Sequence, residues 1–142
     1  MLRSDTSPDQ FIASLPDGVR EDMAALDAEL AEIMAGQERV LWEGAMWGGT
    51  EQRIIGYGTQ RYTNRSGTDV DWFLIGLARQ KDHLSLYVNA ADAADGDAYL
   101  VKGYADRLGK VKVGSANIAF KRAADLDLGT LRELVTRARE LA

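Results

Sequence analysis

Few side chains in this sequence are equipped for chemistry, and their spacing narrows the options quickly. His83 is the one histidine and there is no cysteine, which excludes disulfides, thiolate catalysis and Cys-ligated zinc or iron–sulfur clusters. His83 opens a run in which Leu84, Leu86 and Val88 alternate with Ser85 and Tyr87, so the histidine points away from the apolar side. No Gly-x-Ser-x-Gly elbow accompanies it, and no nucleophile–base pair or metal triad can be assembled around it. Carboxylates are more plentiful. Asp17, Glu21, Glu29 and Glu32 recur along one segment, and hard oxygen ligands of this kind suit Fe(III). Against that stands the ordinary solvated face of an amphipathic helix, which is the commoner reason for such spacing.

A second set of residues suggests a ligand pocket. Trp47, Tyr57, Tyr62 and Trp72 fall on neighbouring predicted strands, and Lys110 and Lys112 precede a further strand. Aromatic walls with a few polar groups are the usual material of small-ligand sites, and the lysines suit a small anion. Should helices cover only one sheet face, the same aromatics would serve as a homodimer contact. Packing of at least two of them in the core is the plainer alternative.

The glycine-rich and acidic motifs carry little. Gly56-x-Gly58 lies inside a strand and is followed by Arg61 where a dinucleotide fingerprint needs glycine. Gly103 to Gly109-Lys110 is one residue too long for a phosphate loop, and the Asp92–Asp97 run lacks the closing glutamate of a calcium loop. The strand glycines read instead as bulges or as places where another group comes close.

These residues need elements to hold them. Val40–Trp47, Arg53–Tyr62, Val70–Ala78 and His83–Val88 read as an antiparallel meander, with turns at Gly48-Gly49 and Asn64–Gly67. Ser7-Pro8-Asp9-Gln10 is a helix start. A longer helix runs from about Asp17 to Ala35, with Val19, Met23, Leu26, Leu30 and Ile33 as its stripe and Gly36 as its stop. Asp97 suits the cap of a third helix ending at Gly109. Val113–Phe120 reads as a fifth strand. A closing helix after Asp125 or Asp127 carries Leu128, Leu131, Leu134, Val135, Ala138 and Leu141. The expectation is one α+β domain, a five-stranded antiparallel sheet with the N- and C-terminal helices packed on it.

Composition fits that expectation. A chain of 142 residues, 46% hydrophobic and 27% charged, is ordinary for a globular domain. The net charge of −5 argues against nonspecific nucleic-acid binding. It hides an asymmetry, because residues 1–40 carry −6 and residues 102–122 carry +5. The start Met1-Leu2-Arg3-Ser4-Asp5 lacks a signal peptide's apolar core, and no run approaches the ~20 apolar residues of a membrane span. A cytoplasmic protein without a membrane partner is expected.

The ordered blocks "FIASLPDGVRED", "GAMWGG", "IIGYGTQRY", "FLIGLARQKDHLSLYV", "LGKVKVGSANIAFKR" and "ADLDLGTLRELV" together resemble the YdhG-like family of bacterial domains of unknown function, from about Asp9 to Arg139. The resemblance implies a frataxin-like helix–sheet–helix fold. One branch of that family is described as an intracellular iron chaperone, so the resemblance also implies iron as a cargo. The chain departs from the family pattern in three places. Tyr57 replaces the usual phenylalanine between Gly56 and Gly58, Leu77-Ala78-Arg79-Gln80-Lys81 lacks the usual proline turn, and Gly114-Ser115-Ala116 lacks a lysine and a thiol. Two function classes follow: a carrier of iron or a small ligand, and an interaction module working through the open sheet face.

Overall fold

The computed structural model describes residues 1–45, 51–92, 96 and 98–142. Helix starts follow their caps. Ser7 Oγ accepts from the Gln10 N–H at 3.1 Å and Gln10 Oε1 accepts from the Ser7 N–H at 2.9 Å, opening α1 (Pro8–Ala13) with a reciprocal box. α2 (Val19–Ile33) buries Met23, Leu26 and Leu30. Gly36, with φ of 85°, reverses the chain after that stripe ends. Asp127 Oδ1 accepts from the Thr130 N–H at 3.0 Å and starts α4 (Leu128–Leu141), which buries Leu131, Leu134, Val135 and Ala138. Leu128 and Leu141, expected in the same stripe, are exposed at the two ends of the helix.

The sheet strands are β1 (Leu2–Arg3), β2 (Arg39–Ala45), β3 (Glu51–Thr63), β4 (Asp69–Arg79), β5 (Leu84–Val88), β8 (Lys112–Val113) and β9 (Asn117–Phe120), while β6 (Ala91–Asp92) and β7 (Ala98–Tyr99) form a separate ribbon. The main sheet runs β1-β2-β3-β4-β5-β9-β8, and every pairing among the described residues is antiparallel. The α+β class is as expected. The strand number is not: the sheet has seven strands rather than five. Leu2–Arg3 is too short to leave a periodic signal, so β1 goes unseen. The expected strand Val113–Phe120 folds back on itself, with the Gly114 N–H donating to the Asn117 carbonyl at 2.8 Å. The expected third helix also shrinks, to α3 (Val101–Tyr104) and a 3-10 turn at Ala105–Arg107. Its expected cap, Asp97, lies outside the described residues. Both edges of the sheet are thus two-residue strands.

Register builds the core. Leu41, Ile55, Leu77, Leu86 and Ile118 stand side by side across five strands, and none is more than 1% exposed. They pack against Phe11, Met23, Leu26, Leu30, Leu131, Leu134 and Val135 from the helices. Their register neighbours Trp42, Ile54, Ala78 and Ser85 line the opposite face. There Trp42, Ile54, Phe73 and Ala78 make a second, smaller cluster to which no described helical residue belongs. Gly56 and Gly76 are paired beneath it. A Cβ on Gly56 would lie 2.6 Å from Trp42 Nε1, and one on Gly76 would lie 2.5 Å from Phe73 Cε1. The strand glycines are seats for aromatic rings.

β2 pairs with β3 no further than Tyr57, and β5 with β4 no further than Ile75. Residues 59–63 and 69–73 therefore pair only with each other, as a two-stranded arm. Asn64 Oδ1 closes its tip by accepting from the Ser66 and Thr68 N–H groups, both at 3.0 Å. Among the described residues, no helix is long and apolar enough to cross a membrane.

Candidate functional site

The helix-free face of the sheet holds the feature best suited to a ligand. A cleft of about 400 Å³ opens where β4, β5 and β9 meet the β6–β7 ribbon, within the usual range for small-molecule sites. Trp72, Tyr87 and Tyr99 supply aromatic wall, and Gln52, Gln80, Asn89, Ser115 and Asn117 supply polar groups. None of its described lining residues is charged.

Gln80 organises the polar side. Its position follows from the turn after β4, where the Gln80 N–H donates to the His83 carbonyl at 2.8 Å. The side chain folds back onto the sheet. Gln80 Nε2 donates to Tyr87 Oη at 2.8 Å and to Gln52 Oε1 at 3.2 Å. Gln80 Oε1 accepts from Ser85 Oγ at 2.5 Å and meets His83 Nε2 at 2.8 Å. A carbonyl oxygen only accepts, so His83 carries its hydrogen on Nε2. Ser85 is fully buried, and its hydroxyl is satisfied by this amide. Nearby, Asn89 Nδ2 donates to the Phe73 carbonyl at 3.0 Å. The Trp72 ring packs against Phe73 with centroids 4.5 Å apart and planes tilted by 33°, and Tyr87 meets Phe73 edge-on at 6.1 Å. Trp42 Nε1 is buried with no hydrogen-bond partner among the described residues.

Of the residues proposed from sequence for the ligand pocket, Trp72 reaches this cleft. Tyr57 is on the other face, 1% exposed, where its hydroxyl donates to Asp27 Oδ1 at 2.5 Å. Burial first, and then the Asp27 charge, push its phenol well above the ordinary value. Asp27 also receives Arg39 Nε at 3.0 Å and Nη2 at 2.7 Å, and Asp9 shares that Nη2 at 2.8 Å. Tyr57 is therefore part of the clamp that ties α1 and α2 to the sheet. Tyr62 sits on the exposed arm. Lys110 and Lys112 are exposed and do not line the cleft. Trp47 lies outside the described residues.

The four carboxylates proposed for iron all have basic or backbone partners. Asp17 and Arg20 form an ion pair, and Glu21 accepts from the Gly18 N–H with Arg20 at 3.4 Å. Hydrogen bonds from the Glu21 and Gly18 N–H groups hold the Glu21 carboxyl below its usual range. Arg132 of α4 bridges Glu29 and Glu32, the latter at 3.3 Å. Among the described residues no group of three or more His, Cys, Asp or Glu side chains is placed to hold a metal.

A broader hollow of about 570 Å³ at the strand ends is lined by Glu43, Glu51, Arg53, Arg79 and Lys81. Its acids and bases oppose each other, as Glu43 and Arg53 do at 3.3 Å, and it shares Gln52 and Gln80 with the neutral cleft. The residues that sequence reasoning missed are the amides. Gln80 sits between Arg79 and Lys81 and reads as a turn residue; the available signal was the outward set His83, Ser85 and Tyr87, three hydrogen-bonding groups in alternate positions. Compared with family models, curated proteins and solved structures, the chain finds no match.

Proposed function

We propose that the protein is a small-molecule-binding protein whose ligand occupies the neutral cleft on the helix-free face of the sheet. The observation that carries this reading is the Gln80 network. It fixes the direction of several polar groups at the wall of a concave, aromatic-lined site. Hydrogen-bonding groups locked by a buried serine are already ordered before a ligand arrives, which lowers the entropic cost of binding. The proposal includes kinship with YdhG-like domains, supported by the six sequence blocks and by the α+β class. Iron, which that kinship implies, would have to displace Arg132 from Glu29 and Glu32.

The test is an amide NMR screen of the purified chain against a library of small polar fragments. Binders are expected to shift Gln52, Gln80, Tyr87 and Asn117 together. Binders that shift only residues of α2 and α4, or none that shift the cleft, would remove the proposal.

A further inference from the structure

The hydrogen bookkeeping of the cleft goes further than its existence, and the step rests on the cleft being the ligand site. The geometry points to an uncharged, flat lactam heterocycle of the nucleobase type as the ligand. The Gln80 carboxamide is saturated. Both of its N–H groups are given, to Gln52 and Tyr87, and its oxygen is taken by Ser85 and His83. Because Tyr87 Oη accepts from Gln80, its own hydrogen is left to donate, and no described residue takes it. Because Gln52 Oε1 accepts, both Gln52 Nε2 hydrogens are left as well. One Asn89 Nδ2 hydrogen is used on the Phe73 carbonyl, so its second hydrogen remains as a donor and Oδ1 as an acceptor.

The wall therefore offers donors from Tyr87, Gln52 and Asn89 and an acceptor from Asn89, beside the Ser115 hydroxyl and the Asn117 carboxamide, all neutral. A lactam edge, with a carbonyl beside an N–H, supplies the complementary pair. Carboxylates and phosphates lack a countercharge here, since no described lining residue is charged and an unpaired anion is costly to desolvate. Trp72 and Tyr99 line the cleft with aromatic surface, which suits a flat heterocycle better than a puckered sugar. The base of a nucleic-acid strand shares this chemistry. The net charge of −5 and the uncharged lining favour a free base or nucleoside over a strand.

The experiment titrates the full chain with uracil, uridine, benzoate, glucose and an oligouridylate, following by NMR the side-chain amides of Gln52 and of Asn117, which lines the cleft and not the charged hollow. Uracil and uridine are expected to shift both amides saturably, with benzoate and glucose silent and the oligouridylate no tighter than uridine. Tyr87→Phe, checked for an unchanged fold by its spectrum, is expected to weaken uracil about tenfold, the size of one hydrogen bond. Gln52→Ala is expected to act in the same direction, and Lys112→Ala, outside the cleft, to leave affinity nearly unchanged. Shifts from benzoate or glucose without uracil and uridine would overturn the ligand class and leave the cleft as a binding site. An oligouridylate that binds far more tightly would overturn the small-ligand inference. Unchanged uracil affinity in Tyr87→Phe would overturn the donor assignment, and silence of every probe at the cleft would count against the class and the site together.

Discussion

Replacing Tyr57 by phenylalanine isolates one hydrogen bond in the clamp between helices and sheet. The ring stays, in a position 1% exposed, and only the hydroxyl that meets Asp27 at 2.5 Å is lost. A hydrogen bond to a charged group contributes roughly 1.5–3 kcal/mol. Arg39 still holds Asp27 through two hydrogen bonds, so the carboxylate is not stranded and the lower end, about 1.5 kcal/mol, is expected. At this chain length that corresponds to a fall in Tm of roughly 3–6 °C. The pH dependence adds a second signature. The folded-state phenol is raised well above 10.0, so folding holds the proton more tightly than the unfolded chain does. That contribution is complete below the unfolded value and is lost as pH rises through the folded one. Urea unfolding followed by circular dichroism, from about pH 7 to about pH 11, should show the native chain losing more stability on the alkaline side than Tyr57→Phe. Equal stabilities at neutral pH with parallel alkaline limbs would refute the clamp.

Asp22 supplies the acidic counterpart. Arg122 Nε at 2.7 Å and the Ala123 N–H at 3.1 Å bond to Asp22 Oδ2, and Arg122, as the larger influence, holds its carboxyl below 3.8. The stability this confers is present above the unfolded value and is lost as pH falls through the folded one, so Asp22→Asn should flatten the acid limb of an unfolding series. Gly76→Ala places a Cβ 2.5 Å from Phe73 Cε1 and should cost roughly 1–3 kcal/mol, with a change in tryptophan emission as the aromatic cluster shifts. Leu77→Ala, in the middle of the five-strand row, should cost roughly 2–5 kcal/mol in the same unfolding assay. Arg132→Ala frees Glu29 and Glu32, so iron held on α2 should bind the variant more tightly and shift amides in residues 17–35. Spectra unmoved by iron in both forms would remove the iron reading.

Elements with a strong local signal were readable in advance. Ser7, Gln10 and Asp127 announce helix starts because capping is chemistry between near neighbours. The alternation from Leu84 to Val88 marks β5 because one face of that strand packs in the apolar core and the other carries hydrogen-bonding groups. Elements whose existence depends on distant partners were not readable. Leu2–Arg3 becomes a strand only because Trp42 and Glu43 lie beside it, and Lys112–Val113 separates from β9 because the chain reverses at Gly114. The site divided in the same way. Trp72 announced itself by residue type. The roles of Gln52 and Gln80 come from two amides 28 positions apart being folded so that they meet, which no local pattern encodes. Tyr57 misled for a similar reason: from its neighbours nothing distinguishes a ligand wall from a partner for Asp27.

The two-residue strands at either margin of the sheet have a consequence for colloidal behaviour. An incoming chain seeking to extend the ladder meets Leu2 and Arg3 on one side and Lys112 and Val113 on the other. That is too short a template for templated fibril growth, and each side carries a positive charge. The long strands are therefore flanked over the body of the sheet, and in crowded or concentrated solution edge-to-edge pairing is left to the outer edges of the two-stranded arm at residues 59–63 and 69–73.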